Sequence, residues 1–245
     1  MKQPEIGVQS FTYRQFDIPA IAEELQDTGI TALELWPGHV GPDDEDSEIE
    51  AAQQCLDEAG IRVCGIGVCN FSPDNADTID ETMDFAVEFG CDYVSVDVPP
   101  EDTEIKQLLV DAALERDLLL GIHNHGPSHH YDTAPSVRAS IEEFDPVLGA
   151  CVDTGHFLRA DETPENAIEV LGKRVHAVHL KDFLDEETEV VPGTGKLNYG
   201  SVLAELEKHS DFHSAFVIEY EADPGNPTPG MRQTVGVFKQ AVANR

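Results

Sequence analysis

The segment LLLGIHNHG (residues 118–126) is an apolar run that ends on two histidines. A short apolar run with a polar end is typical of a buried strand in a parallel sheet, where functional groups collect at the carboxyl end. We therefore predict a strand at residues 118–123. Seven similar runs predict strands at residues 5–11, 32–36, 62–69, 93–98, 148–153, 175–180 and 215–220.

Segments with helical periodicity alternate with these strands. They lie at residues 18–28, 47–59, 76–89, 101–116, 134–143, 164–171, 200–208 and 229–242. Eight strand–helix repeats in 245 residues predict a (β/α)8 TIM barrel that forms a single domain over residues 1–245. A doubly wound sheet is the alternative, but such sheets usually have a Gly-rich turn after the first strand, and SFTYRQF (residues 10–16) has no glycine.

The chain is strongly acidic, with 48 Asp and Glu residues against 15 Lys and Arg residues and a formal net charge of −33. Such a surface argues against a nucleic-acid partner and is typical of proteins that work in concentrated salt, so we expect a halophilic protein. Five cysteines without a CxxC pair indicate a reducing compartment. No apolar run approaches membrane-spanning length, and the chain is expected to be cytoplasmic and without a membrane partner, with a homo-oligomer left open as an alternative to a monomer.

Four consecutive predicted strands end on side chains of metal-binding type. These residues are His123, Asp153, His179 and Glu219. The residue before each of them is aliphatic, as a strand backed by helices requires, so the four polar groups share the inward side. Because the carboxyl ends of barrel strands meet at one face, we expect two imidazoles and two carboxylates to converge there and to bind a divalent transition metal.

Six other residues are predicted to lie at the same end of the barrel. They are Glu34, Trp36, His39, His125, His156 and Lys181. Glu34 and His156 are candidate catalytic groups, together with Glu219, and the other four are candidate substrate contacts. Trp36 would form an apolar wall, and Lys181 would hold a substrate oxygen or phosphate. Two long loops, 185–200 and 221–230, are predicted to form a lid.

The motifs DTGHF (153–157), VHLKDF (178–183), PGTGKLNYGSVL (192–203) and VIEYE (217–221) resemble those of the xylose isomerase-like TIM-barrel superfamily, the sugar phosphate isomerases and epimerases. The resemblance is strongest over residues 118–222. It implies a divalent metal, most often Mn²⁺ and otherwise Co²⁺, Fe²⁺, Ni²⁺, Zn²⁺ or Mg²⁺, held by Glu, Asp, His and Glu. Asp153, His179 and Glu219 match the last three ligands, His156 matches a substrate-contacting histidine, and His123 stands where relatives have the first Glu.

The resemblance further implies an isomerase or epimerase of a small sugar, keto sugar or polyol ketone, acting through a metal-stabilised enediolate. Glu219 would be both ligand and general base, and the acid would come from His123, His156 or Glu34. The main alternative is a metal-dependent dehydratase of the inosose dehydratase kind. A non-catalytic metal- and sugar-binding barrel is a further alternative, whereas the acidic surface disfavours an apurinic endonuclease.

Overall fold

The computed structural model describes residues 4–245. Eight parallel strands form a closed barrel, and two short strands form an antiparallel ribbon beside it. The strands are Ile6–Gln9 (β1), Ala32–Leu35 (β2), Arg62–Asn70 (β3), Tyr93–Asp97 (β4), Leu119–His123 (β5), Leu148–Asp153 (β6), Val175–Leu180 (β7), Asp182–Phe183 (β8), Glu189–Val190 (β9) and Phe216–Ile218 (β10). The ribbon consists of β8 and β9, and the barrel closes where β10 pairs with both β7 and β1.

Helices follow the barrel strands in sequence. They are Ile18–Glu24 (α1), Asp46–Ala59 (α2), Ile79–Glu88 (α3), Thr103–Arg116 (α4), Ala134–Ile141 (α5), Thr154–Arg159 (α6), Pro164–Leu171 (α7), Tyr199–His209 (α8) and Thr228–Ala243 (α9). Every predicted strand and helix has a counterpart in the same part of the chain, so the predicted (β/α)8 barrel is confirmed. Among residues 4–245, no helix combines the length and the apolar character that crossing a lipid bilayer requires.

Small side chains and one tyrosine fill the interior of the barrel. They are Ala32, Cys64, Tyr93, Cys151, Ala177, Ala215 and Val217. A Cβ atom at Gly65 would lie 2.6 Å from the ring of Tyr93, so glycine at this position makes room for the ring on the neighbouring strand. The hydroxyl of Tyr93 can therefore reach inward to the carboxylate of Glu34.

The short helix α6 is an element that the sequence did not predict. It begins where the barrel strand β6 ends, because Oδ1 of Asp153 accepts a hydrogen bond of 2.7 Å from the backbone N–H of His156. A carboxylate at this position satisfies a backbone N–H that the helix leaves free. His156 thus lies in the first turn of a helix, and not in an open loop, and its position is coupled to that of Asp153.

Part of the segment 185–200, one of the two predicted lid loops, is hydrogen-bonded to the end of the barrel. The carboxylate of Asp182, at the start of the ribbon, is fully buried and accepts hydrogen bonds from four backbone N–H groups. The donors are Phe183 at 2.9 Å, Gly193 at 3.0 Å, Gly195 at 2.7 Å and Leu197 at 2.9 Å. One buried side chain therefore ties residues 193–197 to the start of the ribbon.

Asp182→Ala is expected to lower the free energy of unfolding by about 3 kcal/mol or more, since four buried N–H groups lose their acceptor. Trypsin should also cleave at Lys196, in the released segment, faster than in the wild type. Urea unfolding and timed proteolysis measure the two effects. Asp185→Ala is the control, because this exposed carboxylate accepts hydrogen bonds from nearby groups alone, the N–H groups of Glu187 and Thr188 and the hydroxyl of Thr188. Equal losses in both variants would contradict the assignment.

Candidate metal and substrate site

Four predicted ligand residues converge at the carboxyl end of the barrel. They are His123, Asp153, His179 and Glu219, all buried, and one donor atom from each lies within 4.8 Å of the others. Nδ1 of His179 is 2.8 Å from Oε2 of Glu219 and 3.2 Å from Nε2 of His123. Nε2 of His123 is in turn 3.8 Å from Oε2 of Glu219 and 3.9 Å from Oδ2 of Asp153.

This spacing fits one divalent transition metal. Donor atoms bound at about 2.1 Å to a single ion lie roughly 3.0–3.4 Å apart at tetrahedral or octahedral angles. Oδ2 of Asp153 and Nδ1 of His123 are buried and have no hydrogen-bond partner among residues 4–245. Burial and the nearby carboxylate of Glu219 raise the pKa of Asp153 to about 6. A cation would both satisfy the free carboxylate oxygen and relieve the repulsion between the two acids.

Glu34 lies beneath the cluster and orients His179. Its Oε2 is 2.7 Å from Nε2 of His179 and also accepts a hydrogen bond from the hydroxyl of Tyr93. Its Oε1 accepts hydrogen bonds from Gln9 at 2.9 Å and from Ser95 at 3.0 Å. Although burial alone would raise the pKa of Glu34, the interactions with His179 and Tyr93 lower it, and the carboxylate stays ionised.

The position of Glu34 does not suit its predicted role as a catalytic group that exchanges a proton with the substrate. Its side chain is fully buried, and four neighbouring groups occupy its two oxygens. A carboxylate that accepts the Nε2–H of His179 leaves Nδ1 of that ring free to bind a metal. Glu34 is therefore a positioning residue for His179.

A small pocket of about 190 Å³ opens beside the cluster. Its lining residues are Gln9, Phe11, Trp36, Val68, His123, His125, His156, Glu219 and Glu221. Trp36 forms an apolar wall and packs edge-to-face on Phe11, with ring centroids 5.0 Å apart. The volume lies below the roughly 300–1,000 Å³ of sites for drug-sized ligands, so the pocket suits a small polar molecule.

Two of the predicted histidines face this pocket as neutral imidazoles. The ring centroids of His125 and His156 are 5.6 Å apart. Burial, with a smaller contribution from His123, lowers the pKa of His125 to about 3. Burial and the charge of Lys181 also hold the pKa of His156 well below its usual value. Both rings are therefore neutral at neutral pH and can donate or accept hydrogen bonds to a polyol.

Lys181 holds two carboxylates together, whereas the sequence predicted that it contacts the substrate directly. Its side chain is 2% exposed, its Nζ is 2.9 Å from Oε1 of Glu219, and it also donates to Oε1 of Glu221. Burial would lower the pKa of Lys181, but the carboxylates of Glu219, Asp153 and Glu221 outweigh it and raise the pKa. The ammonium group therefore neutralises the carboxylates that line the pocket.

His39 lies behind Trp36 and not in the pocket, so its predicted contact with substrate is not supported. Its Nδ1 is 2.9 Å from the hydroxyl oxygen of Ser10, and its Nε2 is 3.3 Å from the backbone oxygen of Tyr13. Its ring packs edge-to-face on Trp36 at a centroid distance of 5.3 Å. With both nitrogens occupied, His39 supports the aromatic wall from outside.

Three polar residues of the site were not assigned from the sequence. Gln9 ends β1 and lines the pocket, so the rule used for the late strands would have found it. Glu221 lies two residues after Glu219, so strand alternation gives it the same inward direction. Glu189 lies on the ribbon, its Oε1 accepts the backbone N–H of Glu221 at 2.9 Å, and burial raises its pKa to about 7. The sequence carries no signal for Glu189, because the ribbon itself was not predicted.

A larger groove of about 580 Å³ lies at the opposite end of the barrel, near the starts of β1 and β10. Apolar side chains such as Leu203, Leu206, Phe212 and Phe216 form much of its wall. Active sites of this fold lie at the carboxyl ends of the strands, where the buried histidines and carboxylates converge. The small pocket is therefore the candidate site.

Comparisons with known proteins agree with this fold. Residues 22–241 match the protein family described as "Xylose isomerase-like TIM barrel". The chain is 25% identical over 281 aligned positions to an inosose dehydratase of Histophilus somni (strain 129Pt), and the match covers 92% of each protein.

Solved structures share the architecture. The probable 3-DHS dehydratase AsbF of Bacillus anthracis has a TM-score of 0.76 at 15% identity, over 96% of this chain and 98% of that one. The D-allulose 3-epimerase of Methylomonas sp. has a TM-score of 0.75 at 14% identity, over 100% of this chain and 98% of that one. At these identities, the likeness concerns the fold.

Proposed function

The chain belongs to the xylose isomerase-like TIM-barrel family, and from this premise we propose that it is a divalent-metal-dependent enzyme. Its reaction begins with removal of a proton next to the carbonyl of a small polyol ketone or keto sugar. The supporting observation is the convergence of four buried donor side chains beside a small polar pocket. We propose Mn²⁺ as the ion, and the mixed nitrogen and oxygen donors also suit Co²⁺, Fe²⁺, Ni²⁺, Zn²⁺ or Mg²⁺.

His123, Asp153, His179 and Glu219 would hold the ion. A bound divalent ion supplies Lewis acidity, which polarises the substrate carbonyl and lowers the pKa of the neighbouring C–H. Two further contacts fix the ligands: Glu34 sets the tautomer of His179, and the N–H of His156 restrains Asp153. The ligand set is thus preorganised by contacts that do not involve the substrate.

Glu219 is the proposed general base. It shares the ammonium group of Lys181 with Glu221. When Glu219 accepts a proton, Lys181 still pairs with Glu221, so the buried site is not left with an unpaired charge. His156 and His125, which line the same pocket, donate N–H groups to hydroxyls of the substrate and so orient the C–H bond toward the base.

We propose dehydration as the outcome, in which the β-hydroxyl leaves after the proton is removed. The curated relative that matches 92% of the chain is named an inosose dehydratase, and an inosose is a cyclic polyol ketone. The proton that Glu219 takes from carbon would return to the departing hydroxyl, which leaves as water, and the N–H group of His156 would hydrogen-bond to that oxygen. This reverses the order of preference reached from the sequence, which placed isomerisation first.

Isomerisation or epimerisation is the second candidate. It is favoured by Glu221, whose carboxylate lines the pocket together with Glu219. Two carboxylates can serve as the two proton carriers that epimerisation requires, one removing the proton and the other returning it to the opposite face. Glu221 would take the role that the sequence assigned to Glu34.

Incubation of the metal-loaded protein with an inosose in D₂O tests the proposal. Dehydration is expected to give a product that absorbs in the ultraviolet, whereas isomerisation or epimerisation gives deuterium next to the carbonyl without new absorbance. Glu219→Gln should lower kcat by about 10²–10⁴-fold in either case, and the exposed Glu104→Gln should not. Calorimetric binding of the inosose with neither signal would contradict the proposal and favour a non-catalytic binding barrel.

We further propose that the acidic surface adapts the protein to a salt-rich cytoplasm. A net charge of −33 on 245 residues repels itself most strongly at low ionic strength. Raising KCl from 0.1 M to 2 M is therefore expected to raise the melting temperature by roughly 10 °C, because screening shortens the range of this repulsion. Differential scanning calorimetry measures the shift, with sucrose as an uncharged control. A melting temperature that does not change with salt would exclude this adaptation.

A further inference from the structure

A second group of metal-binding side chains lies beside the pocket. Asp97 is the last residue of β4, His125 lies two residues beyond β5, and His129 lies in the loop that follows. One donor atom from each of the three lies within 4.8 Å of the others. The proposed function uses none of these donors as a metal ligand.

The loop that carries the histidines is folded onto itself, and this brings the three side chains together. The backbone N–H of His125 donates to the oxygen of Tyr131 at 3.1 Å, and that of His129 donates to Gly126 at 3.2 Å. The rings of His125 and His129 are then 4.2 Å apart. The backbone hydrogen bonds of this loop and the contact between the two rings place His125 and His129 next to each other.

Asp97 faces the imidazoles. Its Oδ2 is 3.4 Å from Nε2 of His129, and its Oδ1 is 3.1 Å from Nε2 of His130. Oδ2 of Asp97 therefore lies on the side of His125 and His129, whereas Oδ1 contacts His130. A carboxylate between two imidazoles is a donor set that borderline divalent ions prefer.

His125 has an unused ring nitrogen. Its Nδ1 is buried and has no hydrogen-bond partner among residues 4–245. A buried polar atom without a partner costs about 1–3 kcal/mol, so such atoms in a native site call for a ligand. His125 also lines the small pocket, and its ring centroid is 4.7 Å from that of His123. A ligand bound here would adjoin the first cluster.

We propose that Asp97, His125 and His129 bind a second divalent transition-metal ion, of the Zn²⁺, Co²⁺ or Ni²⁺ class, at the mouth of the pocket. Three protein ligands leave a coordination position for water or for a substrate oxygen. The inference goes beyond the proposed function, which requires a single ion. It makes the pocket a two-metal site, in which the second ion binds an oxygen of the substrate away from the reacting carbonyl.

Metal titration of the whole protein, loaded with Co²⁺ and followed by visible absorption and by elemental analysis after gel filtration, tests this site. The wild type is expected to bind about two equivalents. Asp97→Asn and His129→Ala should each weaken one equivalent by roughly 100-fold or more, without loss of the other. His213→Ala, which removes an exposed histidine elsewhere, is the matched control and should bind as the wild type does.

Asp153→Asn distinguishes the two sites. It should abolish binding of the metal equivalent at the first cluster and leave the equivalent at the site that contains Asp97. Saturation of the wild type at one equivalent would overturn the second site, as would full retention of two equivalents in both Asp97→Asn and His129→Ala. Melting temperatures of the metal-free variants establish that each variant is folded. If Asp153→Asn alone retains both equivalents, the proposed function fails while the second site stands.

Discussion

Asp153→Asn should release the ion of the first cluster and reduce kcat by at least about 10³-fold. The free oxygen of Asp153, Oδ2, is buried and directed at the cluster, and its negative charge is the part of the ligand set that asparagine cannot supply. Asparagine retains an oxygen that can accept the N–H of His156, so the start of α6 is preserved. Elemental analysis of purified protein, alongside the assay with an inosose, measures both effects.

The matched control is Asp43→Asn, which removes the same charge from an exposed position on the surface. It should leave metal content and turnover as in the wild type. Circular dichroism establishes that Asp153→Asn is folded. If this variant bound the first equivalent as tightly as the wild type, Asp153 would not be a ligand and the site would have to be reassigned.

The barrel and the first cluster could be predicted because both follow from strand phase. Each late strand is buried on both sides, so an aliphatic outward residue and a polar last residue are both visible in the sequence. This places His123, Asp153, His179 and Glu219 at one face of the barrel, and the structure brings the four together. The side of a strand on which a residue lies follows from the alternation of its neighbours, so it can be predicted without knowing how the loops fold.

Depth within the barrel could not be predicted in the same way. Glu34 has the inward phase, but the stagger of the strands places it below His179, where it orients that ring and is shielded from the pocket. Lys181 also has the inward phase, and its length lets the ammonium reach Glu219 and Glu221. Phase gives the side of the strand, whereas the role depends on height and on partners contributed by other strands.

The conformation of the loops could not be predicted from the sequence either. Nothing local in the sequence shows that the loop carrying His129 folds back toward Asp97 on a different strand. The segment 185–200 is predicted to be a lid because it is long and follows a strand that ends on a proposed ligand, and the sequence does not show that its residues 193–197 are hydrogen-bonded to the buried carboxylate of Asp182. Both cases depend on contacts between residues that are distant in sequence, and one sequence alone does not reveal these.

Lys181→Met should destabilise the protein by about 3–5 kcal/mol and lower kcat by about 10²-fold or more, because the buried carboxylate of Glu219 and the partly exposed carboxylate of Glu221 lose their shared cation. Methionine keeps the length and apolar stem of the lysine, so the loss reports the charge and not a cavity. Urea unfolding of the metal-free protein measures the first effect. The control is Lys173→Met, which removes a lysine that is 77% exposed beside Asp211 and should leave stability unchanged.

The double variant Lys181→Met with Glu221→Gln separates charge pairing from a general need for lysine. Neutralising Glu221 removes one of the two carboxylates that lost their cation, so it should restore part of the stability lost in Lys181→Met. Glu221→Gln alone should cost less than Lys181→Met, since Lys181 would still pair with Glu219. If the two losses simply added, the carboxylates would not be coupled through Lys181. The general base would then lack the charge compensation that makes proton transfer feasible in so buried a site.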